Sequence, residues 1–348
     1  MTPRHPHPEV PVSAVPAEPP ARGLSFFLTV PTDPQPGRVY GDALDSVRLA
    51  ESLGYETAWV AEGHFQFLGL PAALAFLAAA GQVADRIRLG TAVLPLAFDN
   101  PIRVAETAAF VDALSGGRLE LGIGKSNPMS KAIFSAFGLS EGDRETLYAE
   151  ALGGLRRAIE HGVSADGEQV PLYPPPAGLG DRVWQATGNP RTAAAIGRAA
   201  DGLLLFRLTP EGDTGRVQSA LIDEYLGALP PGVEPRIGTS RGVLPAASRA
   251  EAIALVAAEL EQHPARFRVL SGAKPSTPEE YLDALNVKYG SPDEVVEQLS
   301  RDEAFVRSTD RLFSLPLSAG TAPFREGLRL VAEDIHPRVR PAVAHAAA

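Results

Sequence analysis

The sequence predicts an α/β fold, a (β/α)8 TIM barrel, from three observations. Short apolar runs of strand length alternate with longer segments of helical periodicity, and the alternation yields eight strands between residues 24 and 317. These runs show little alternation of apolar and polar residues, which is typical of parallel strands buried on both faces. The chain of 348 residues is also of a length that an α/β barrel reaches as one domain. A doubly wound open sheet is the main alternative, but the count of eight favours the barrel.

The eight predicted strands are apolar runs bounded by turn residues or by the starts of helices. In chain order they are LSFFLTV (24–30), TAWVA (57–61), RIRLGTAVLP (86–95), RLELGIG (118–124), RVWQAT (182–187), GLLLF (202–206), PRIGTSRGVL (235–244) and DRLFSLPL (310–317).

The predicted helices show apolar residues at helical spacing, and several begin at proline or end at glycine. The helix at 42–54 stops at Gly54, and the helix that opens at Pro101 is ended by Ser115-Gly116-Gly117. The full set is 42–54, 72–84, 101–114, 141–161, 191–200, 215–229, 249–262, 278–285, 292–300 and 322–335.

Two stretches interrupt the alternation. Residues 162–180, after the fourth helix, are rich in Pro and Gly and predict a surface excursion. Residues 263–290, before the last helix–strand unit, are irregular apart from one short helix, and loops of this length often bind ligands. We therefore expect a Pro-rich disordered tail over 1–22, one barrel domain over 23–340 and a disordered tail over 341–348.

Composition excludes several classes of function. A net charge of −10 disfavours binding to nucleic acid and to anionic membranes. The absence of cysteine excludes disulfides, a thiolate nucleophile and cysteine-ligated metals. No cluster of His, Asp and Glu has metal-ligand spacing, so no metal is expected. No apolar stretch has the length of a membrane helix, the N-terminus does not resemble a secretory signal, and we expect a cytoplasmic location.

The active site of a parallel barrel lies at the carboxyl ends of its strands. That rule reduces the candidates to residues that follow the predicted strands. They are Pro31-Thr32-Asp33, Glu62-Gly63-His64, Pro95 with Phe98, Asp99 and Asn100, Gly124-Lys125-Ser126-Asn127, Thr187-Gly188-Asn189-Pro190 with Arg191 and Thr192, Arg207 with Thr209, and Pro316 with Ser318.

Two of these loops have the character of anion sites. GIGKSN (122–127) combines glycines, whose backbone N–H groups can approach a ligand, with the charge of Lys125. TGNPRT (187–192) opens a helix, and free N–H groups at a helix start favour a phosphate. Neither loop is specific alone, and each is compatible with an ordinary turn. Because they follow adjacent strands, together they favour a cofactor that carries a phosphate.

Three further residues have two interpretations each. His64 ends a strand among aromatic residues, which is compatible with acid–base chemistry or with a structural role. Glu62 either orients that histidine or caps the next helix. Glu106 lies in the middle of a helix, where a solvent-facing position is the more common one. Asp99 or Asn100 is expected to cap the helix that begins at Pro101.

Several segments resemble the bacterial luciferase-like, flavin-dependent monooxygenase superfamily, and a subgroup of FMN-dependent luciferase-like monooxygenases within it. They extend in the same order over roughly 24–337. The segments that carry the resemblance are AESLGYETAWVAEGHF (50–65), RIRLGTAVLPLAFDNPIRVAE (86–106), LSGGRLELGIGK (114–125), DRVWQAT (181–187), AADGLLL (199–205) and YGSPDEVV (289–296).

The resemblance implies a two-component monooxygenase. Its cofactor would be FMN, used in reduced form and supplied by a separate NAD(P)H:flavin reductase. O2 would react with it to give a flavin peroxide that attacks a small organic substrate. The resemblance also implies a homodimer, and the apolar helices at 72–84 and 104–114 carry more hydrophobic surface than one barrel wall needs.

Site residues follow from the same resemblance. Lys125 stands where relatives usually have an arginine that contacts the FMN phosphate, so the charge remains and the fork geometry is lost. Glu106 matches a carboxylate that lies inward below the flavin. The other positions matched to cofactor binding are Thr91, Ala92 and Val93, of which Ala92-Val93 corresponds to a cis peptide in many relatives, and Ser126, Ala186, Thr187, Gly188 and Thr192.

One departure concerns the catalytic pair Glu62 and His64. Luciferase-like enzymes often have Glu-His-His after the second strand, and here Gly63 replaces the first histidine. This replacement has three interpretations. In the first, His64 takes over the acid–base role. In the second, the substrate needs no base from the protein, and in the third, part of the catalytic activity has been lost. The alternatives for function are a deazaflavin-dependent hydride-transfer oxidoreductase, a catalytically silent flavin-binding protein, and an unrelated barrel enzyme acting on a phosphorylated sugar.

Overall fold

A computed structural model describes residues 23–30, 36–65, 69–126, 131–209, 212–267 and 275–340. The two tails predicted to be disordered, 1–22 and 341–348, lie outside these residues. Eight strands form the central sheet, each within four residues of its predicted boundaries. They are β1 (Leu24–Leu28), β2 (Thr57–Val60), β3 (Arg88–Thr91), β4 (Leu119–Gly124), β5 (Val183–Ala186), β6 (Gly202–Leu205), β7 (Ile237–Pro245) and β8 (Asp310–Ser314).

The sheet closes into a parallel barrel. Each strand pairs in parallel with the next in chain order, and β8 pairs with β1, for example Phe26 with Phe313. The predicted (β/α)8 barrel is therefore confirmed. In such a barrel all carboxyl ends open on one face, which brings the loops that follow the strands together.

Helices surround the barrel and most were predicted. Several helix starts are fixed by side-chain caps, as where Asn100 Oδ1 accepts from the amides of Ile102 and Arg103. The helices are α1 (Pro36–Ser52), α2 (Ala73–Ala80), α3 (Pro101–Leu114), α4 (Lys131–Ala136), α5 (Arg144–His161), α6 (Pro190–Arg198), α7 (Thr214–Ala228), α8 (Arg249–Gln262), α9 (Pro278–Ala284), α10 (Pro292–Ser300), α11 (Glu303–Val306) and α12 (Ala322–Leu330).

The two stretches expected to be irregular contain more regular structure than predicted. The first forms an antiparallel hairpin of Val163–Ala165 and Glu168–Val170. Asp166 and Gly167 turn it with φ of 52° and 86°, the left-handed pair of a tight hairpin turn. In the second stretch, Lys288–Gly290 adds a short parallel strand beside the end of β7. Both pieces are only three residues long per strand, too short to give a clear sequence pattern.

The barrel interior is filled by two tryptophans that lie against glycines. Trp59 is paired with Gly90 on the neighbouring strand, and Trp184 with Gly202. A Cβ at either glycine would come within 2.2 Å of the paired indole ring, so only glycine leaves room for it. The two indoles meet edge to face, with ring centroids 5.3 Å apart.

Small side chains cover this interior at its carboxyl end. The buried cluster consists of Phe27, Trp59, Trp184, Leu204 and Leu312, and partly buried residues pack against it. Those residues come from the ends of β2, β3 and β5 and form an apolar floor to the barrel mouth. We call them the floor, and they are Ala61, Ala92, Val93 and Ala186. In the part of the chain that the structure describes, no helix is long and apolar enough to cross a membrane.

Candidate functional site

The carboxyl of Glu62 caps the start of α2 and also lies beside His64. Its Oε2 accepts from the amide of Ala73, the first residue of α2, at 2.8 Å. Its Oε1 lies 3.5 Å from Nε2 of His64, and the Glu62 side chain is only 5% exposed. This distance is within ion-pair range, but the two groups are not hydrogen-bonded. His64 Nε2 is buried and has no hydrogen-bond partner among the described residues.

Aromatic rings surround His64 on the remaining sides. The centroid of its ring lies 5.1 Å from that of Phe137 and 5.9 Å from that of Phe98, both edge to face. Phe98 in turn stacks on Phe137 at 5.2 Å and meets Phe134 at 4.7 Å. Phe134 lies on α4 and Phe137 directly follows it. This short helix therefore covers the imidazole with an apolar wall.

Burial sets the protonation of this group. Desolvation raises the pKa of Glu62 to about 7, against the bond from Ala73 that lowers it. Desolvation lowers the pKa of His64, and the charge of Asp99 acts in the opposite direction. Asp99 itself has a raised pKa, again because of burial. Near neutral pH the His64 imidazole is thus neutral, and the Glu62 carboxyl titrates in that range. The pair is therefore suited to hold or transfer a proton.

The backbone at Gly63 is tightly packed. Its N–H donates to the carbonyl of Leu70 at 2.9 Å, and Gly69 approaches so closely that a Cβ there would lie 2.9 Å from the Gly63 Cα. Gly69 has φ of +125°, which favours glycine. Gly63 therefore lies where the backbone segment directly before His64 packs closely against the segment at Gly69 and Leu70.

At the end of β3 the peptide bond between Ala92 and Val93 is cis, as the resemblance implied. Both residues belong to the floor. Thr91, one of the positions matched to cofactor binding, already uses its side chain within the barrel wall, because its hydroxyl donates to the carbonyl of Gly122 at 2.7 Å and accepts from the Gly122 amide at 2.9 Å. Thr91 is fully buried and its hydroxyl joins β3 to β4.

Lys125, directly after β4, enters the mouth with a partner already in place. Its Nζ pairs with Glu145 at the start of α5 and lies 5.7 Å from the ring centroid of Tyr148. The side chain is 20% exposed. Ser126 follows with φ of 64°, a left-handed turn that redirects the chain. An incoming anion would thus meet Lys125 in competition with Glu145.

The loop after β5 is capped internally. Thr187 Oγ1 accepts from the Asn189 amide at 3.0 Å, and Asn189 Oδ1 accepts from the amides of Arg191 and Thr192 at 2.9 and 3.2 Å. The expectation of free N–H groups at this helix start is therefore corrected, since Asn189 occupies two of them. Gly188 remains exposed, and a Cβ there would meet nothing within 4 Å.

Glu106 does not lie buried below the mouth. Its carboxylate pairs with Arg103 at 2.8 Å one helical turn away, and its side chain is 41% exposed. The resemblance implied an inward position, and the exposed ion pair instead matches the solvent-facing alternative. A mid-helix carboxylate with an arginine three residues before it is a common surface pair.

Several residues of the mouth were not selected from the sequence. The spacing of Phe134 and Phe137 signals one helical face, but α4 is too short to stand out. Asp99 was a candidate both for the site and for the helix cap, but its coupling to His64 was not foreseen, because it depends on the path of the chain between β3 and α3. Among the residues that the structure describes, no three His, Asp or Glu side chains are grouped as a metal site would require.

A family model for luciferase-like monooxygenases matches residues 22–308. The chain belongs to the luciferase-like monooxygenase family. Two curated relatives show the range of this family. The 4-hydroxyprotoasukamycin monooxygenase of Streptomyces nodosus subsp. asukaensis is 33% identical over 37% of this chain and 34% of its own length. An F420-dependent glucose-6-phosphate dehydrogenase of Intrasporangium calvum is 29% identical over 55% of this chain and 59% of its own. The chain spans only about a third to three fifths of these relatives.

Solved structures match over nearly the whole barrel. The monooxygenase RslO1 from Streptomyces bottropensis has a TM-score of 0.72 and 25% identity, covering 90% of this chain and 99% of that one. The oxygenating constituent of 3,6-diketocamphane monooxygenase from Pseudomonas putida, in complex with FMN, has a TM-score of 0.72 and 17% identity, covering 92% and 99%. The luciferase-like family thus includes proteins that bind FMN and proteins that depend on F420.

Proposed function

We propose that this chain is the oxygenating component of a two-component, FMN-dependent monooxygenase. A separate NAD(P)H:flavin reductase would supply reduced FMN, and a small organic molecule would be the substrate. The observation that carries the choice of a monooxygenase is the match to RslO1, which extends over 99% of that protein. The floor and the positive charge of Lys125 beside it support a flavin as the cofactor.

The residues at the mouth fit a flavin. A flat, largely apolar ring system needs a smooth surface, and the floor consists only of alanines and one valine. A Cβ at Gly124 would come within 2.6 Å of Val93, so glycine here preserves that surface. Lys125 and the open backbone at Gly188 would hold the phosphate. When bound, reduced FMN would supply the activation of O2.

The chain's own residues would control protons and water. Glu62 and His64 would hold a proton near the reacting atoms, since the pKa of the carboxyl is about 7. Phe98 and Phe137 would exclude water from the imidazole side, which strengthens charge interactions within the site. This arrangement supports the interpretation in which His64 takes over the acid–base work despite Gly63.

An F420-dependent hydride-transfer oxidoreductase is the second candidate, supported by the glucose-6-phosphate dehydrogenase relative. The deciding experiment is an anaerobic titration of the protein with reduced FMN and, separately, with reduced F420, followed by fluorescence. We expect reduced FMN to bind at least ten-fold more tightly. O2 is then admitted, and bound flavin should oxidise with a rate different from that of free flavin. Tighter binding of F420 would overturn the proposal.

Lys125→Ala tests the phosphate contact within the same titration. We expect its Kd for reduced FMN to rise about ten-fold, in line with the loss of one charged hydrogen bond. Glu145→Gln is the matched variant, because it removes the competing partner of Lys125 and should leave the affinity unchanged or increase it. An unchanged Kd in Lys125→Ala would remove Lys125 from the phosphate site.

We also propose a homodimer through α3. Its outer face exposes Ile102, Phe110 and Leu114 by 41%, 55% and 43%. These three apolar side chains lie on one side of the helix with the charged Glu106 between Ile102 and Phe110, and their exposure supports association, because grouped exposed apolar side chains often mark an interaction surface.

A further inference from the structure

Arg207 lies two residues beyond the end of β6, at the carboxyl face of the barrel. The residue is 7% exposed, and its Nε is buried with no hydrogen-bond partner among the described residues. Burial lowers the pKa of this guanidinium. No Asp or Glu in the described part of the chain stands close enough to form an ion pair with it, so the positive charge is enclosed without a counter-ion.

Other buried arginines in the described part of the chain differ from Arg207. Arg241 is bound through two nitrogens to Asp302, at 2.6 and 2.9 Å. Arg236 donates to the carbonyls of Val183 and Ala200, each at 3.1 Å, and Arg266 pairs with Glu259 at 3.0 Å. Arg311 has no carboxylate partner among the described residues, yet it donates to the carbonyl of Val339 at 2.8 Å. An unpaired buried charge costs several kcal/mol in general, so the exception at Arg207 calls for a partner.

The structure fixes the position of Arg207 without neutralising it. Its carbonyl accepts from Asn286 Nδ2 at 3.1 Å, and Asn286 Oδ1 in turn accepts from Lys288 Nζ at 2.6 Å. Its guanidinium carbon lies 5.6 Å from the ring centroid of Phe206, which is 44% exposed. The neighbouring residues thus hold the backbone and offer an aromatic contact that opens toward solvent.

A second cation lies beside Arg207. Besides burial, which lowers the pKa of Arg207, Tyr281 raises that pKa and the positive charge of Arg266 lowers it. Arg266 is anchored by Glu259, whose other contact is the hydroxyl of Ser318 at 2.6 Å, four residues beyond β8. The two guanidiniums therefore lie at the mouth on the side of β6 to β8. Glu62 and His64, which follow β2, stand across the barrel from them.

We infer that Arg207 receives an anionic oxygen group of the bound organic molecule, a carboxylate, sulfonate or phosphate. The guanidinium fork matches the geometry of such groups, and an anion would supply the counter-ion that Arg207 lacks in the described protein. The inference deepens the proposed function by naming the chemistry of the ligand, and in that respect it rests on it. The anion belongs either to the substrate or to the phosphate of the cofactor.

Sulfate is the probe, and binding is measured by isothermal titration calorimetry at constant ionic strength. We expect the Kd for sulfate to rise at least ten-fold in Arg207→Met. Arg198→Met, in the exposed last turn of α6, is the matched control and should stay within two-fold of the wild type. Arg207→Lys keeps the charge, is the safer variant for folding, and should weaken binding several-fold through loss of the fork. Equal affinity in all variants, or no binding to the wild type, would overturn the inference.

The source of the anion is decided by titration with reduced FMN. If Arg207→Met raises the Kd for reduced FMN at least ten-fold and FMN displaces sulfate, the anion is the phosphate of the cofactor. If the Kd for FMN is unchanged and sulfate binds the FMN-loaded protein, the anion belongs to the substrate. Both results support an anion site at Arg207. If FMN does not bind any variant while sulfate binding still depends on Arg207, the proposed function fails and the anion site stands.

Discussion

Oε1 of Glu62 lies 3.5 Å from Nε2 of His64, while Oε2 of the same carboxyl is hydrogen-bonded to the first amide of α2. The carboxyl is thereby fixed between a helix start and an imidazole. Desolvation raises its pKa to about 7, although the helix amide stabilises the charged form. This carboxyl therefore changes its charge within the range in which enzymes usually operate.

Glu62→Gln should become more stable relative to the wild type as the pH rises. A carboxyl whose folded pKa is raised from 4.5 to about 7 contributes stability that is present below pH 4.5 and is lost as the pH rises through 7. The relative gain in the free energy of unfolding should reach about 2.5 kcal/mol between pH 5 and pH 8. Urea denaturation of both proteins at several pH values measures it. A difference independent of pH would mean that Glu62 titrates normally.

Asp99→Asn should lower the pKa of His64. The charge of Asp99 raises that pKa against the effect of burial, so its removal leaves burial unopposed. We expect the pKa to fall, because the variant lacks the nearby negative charge that favours the protonated imidazole. NMR titration of the imidazole Cε1–H reports it, and Glu106→Gln on the exposed face of α3 is the control. A rise of the pKa, or an equal fall in the control, would contradict the coupling.

The barrel and the placement of His64 could be predicted from the sequence because they depend on local patterns. Each strand is an apolar run of four to nine residues, and the rule for parallel barrels then assigns the site to the loops that follow them. Asn100 could be predicted as a cap for the same reason, since capping requires only its own helix.

The contacts that could not be predicted depend on distant parts of the chain. The Thr91 hydroxyl is hydrogen-bonded to Gly122 on the next strand. The Asn189 side chain accepts from helix amides that could otherwise bind a phosphate. The partner of Lys125 lies 20 residues away on α5. Arg207 was among the residues predicted to follow a strand, but its lack of a counter-ion among the described residues shows only once the neighbouring loops are placed.

Gly90→Ala should destabilise the barrel. The added Cβ would lie 2.2 Å from the Trp59 ring, which is fully buried and paired across from it. Overpacking of this kind costs about 1–3 kcal/mol. Gly41→Ala on exposed α1 is the control, because nothing lies within 4 Å of its added Cβ and alanine favours helix by about 1 kcal/mol. Thermal unfolding should separate the two in opposite directions, and a Gly90→Ala protein as stable as the wild type would contradict the packing.

Phe110→Glu should convert the proposed dimer to a monomer. Phe110 is 55% exposed and lies on the same face of α3 as the exposed residues Ile102 and Leu114, so a charge there would be buried without a partner in the dimer. Light scattering should give about twice the 36.7 kDa of one chain for the wild type and the single mass for the variant. Leu226→Glu on α7 is the control, since Leu226 is 39% exposed on a different helix and should leave the dimer intact. A wild-type monomer would remove the dimer from the proposal. Loss of the dimer only in Leu226→Glu would move the interface to α7.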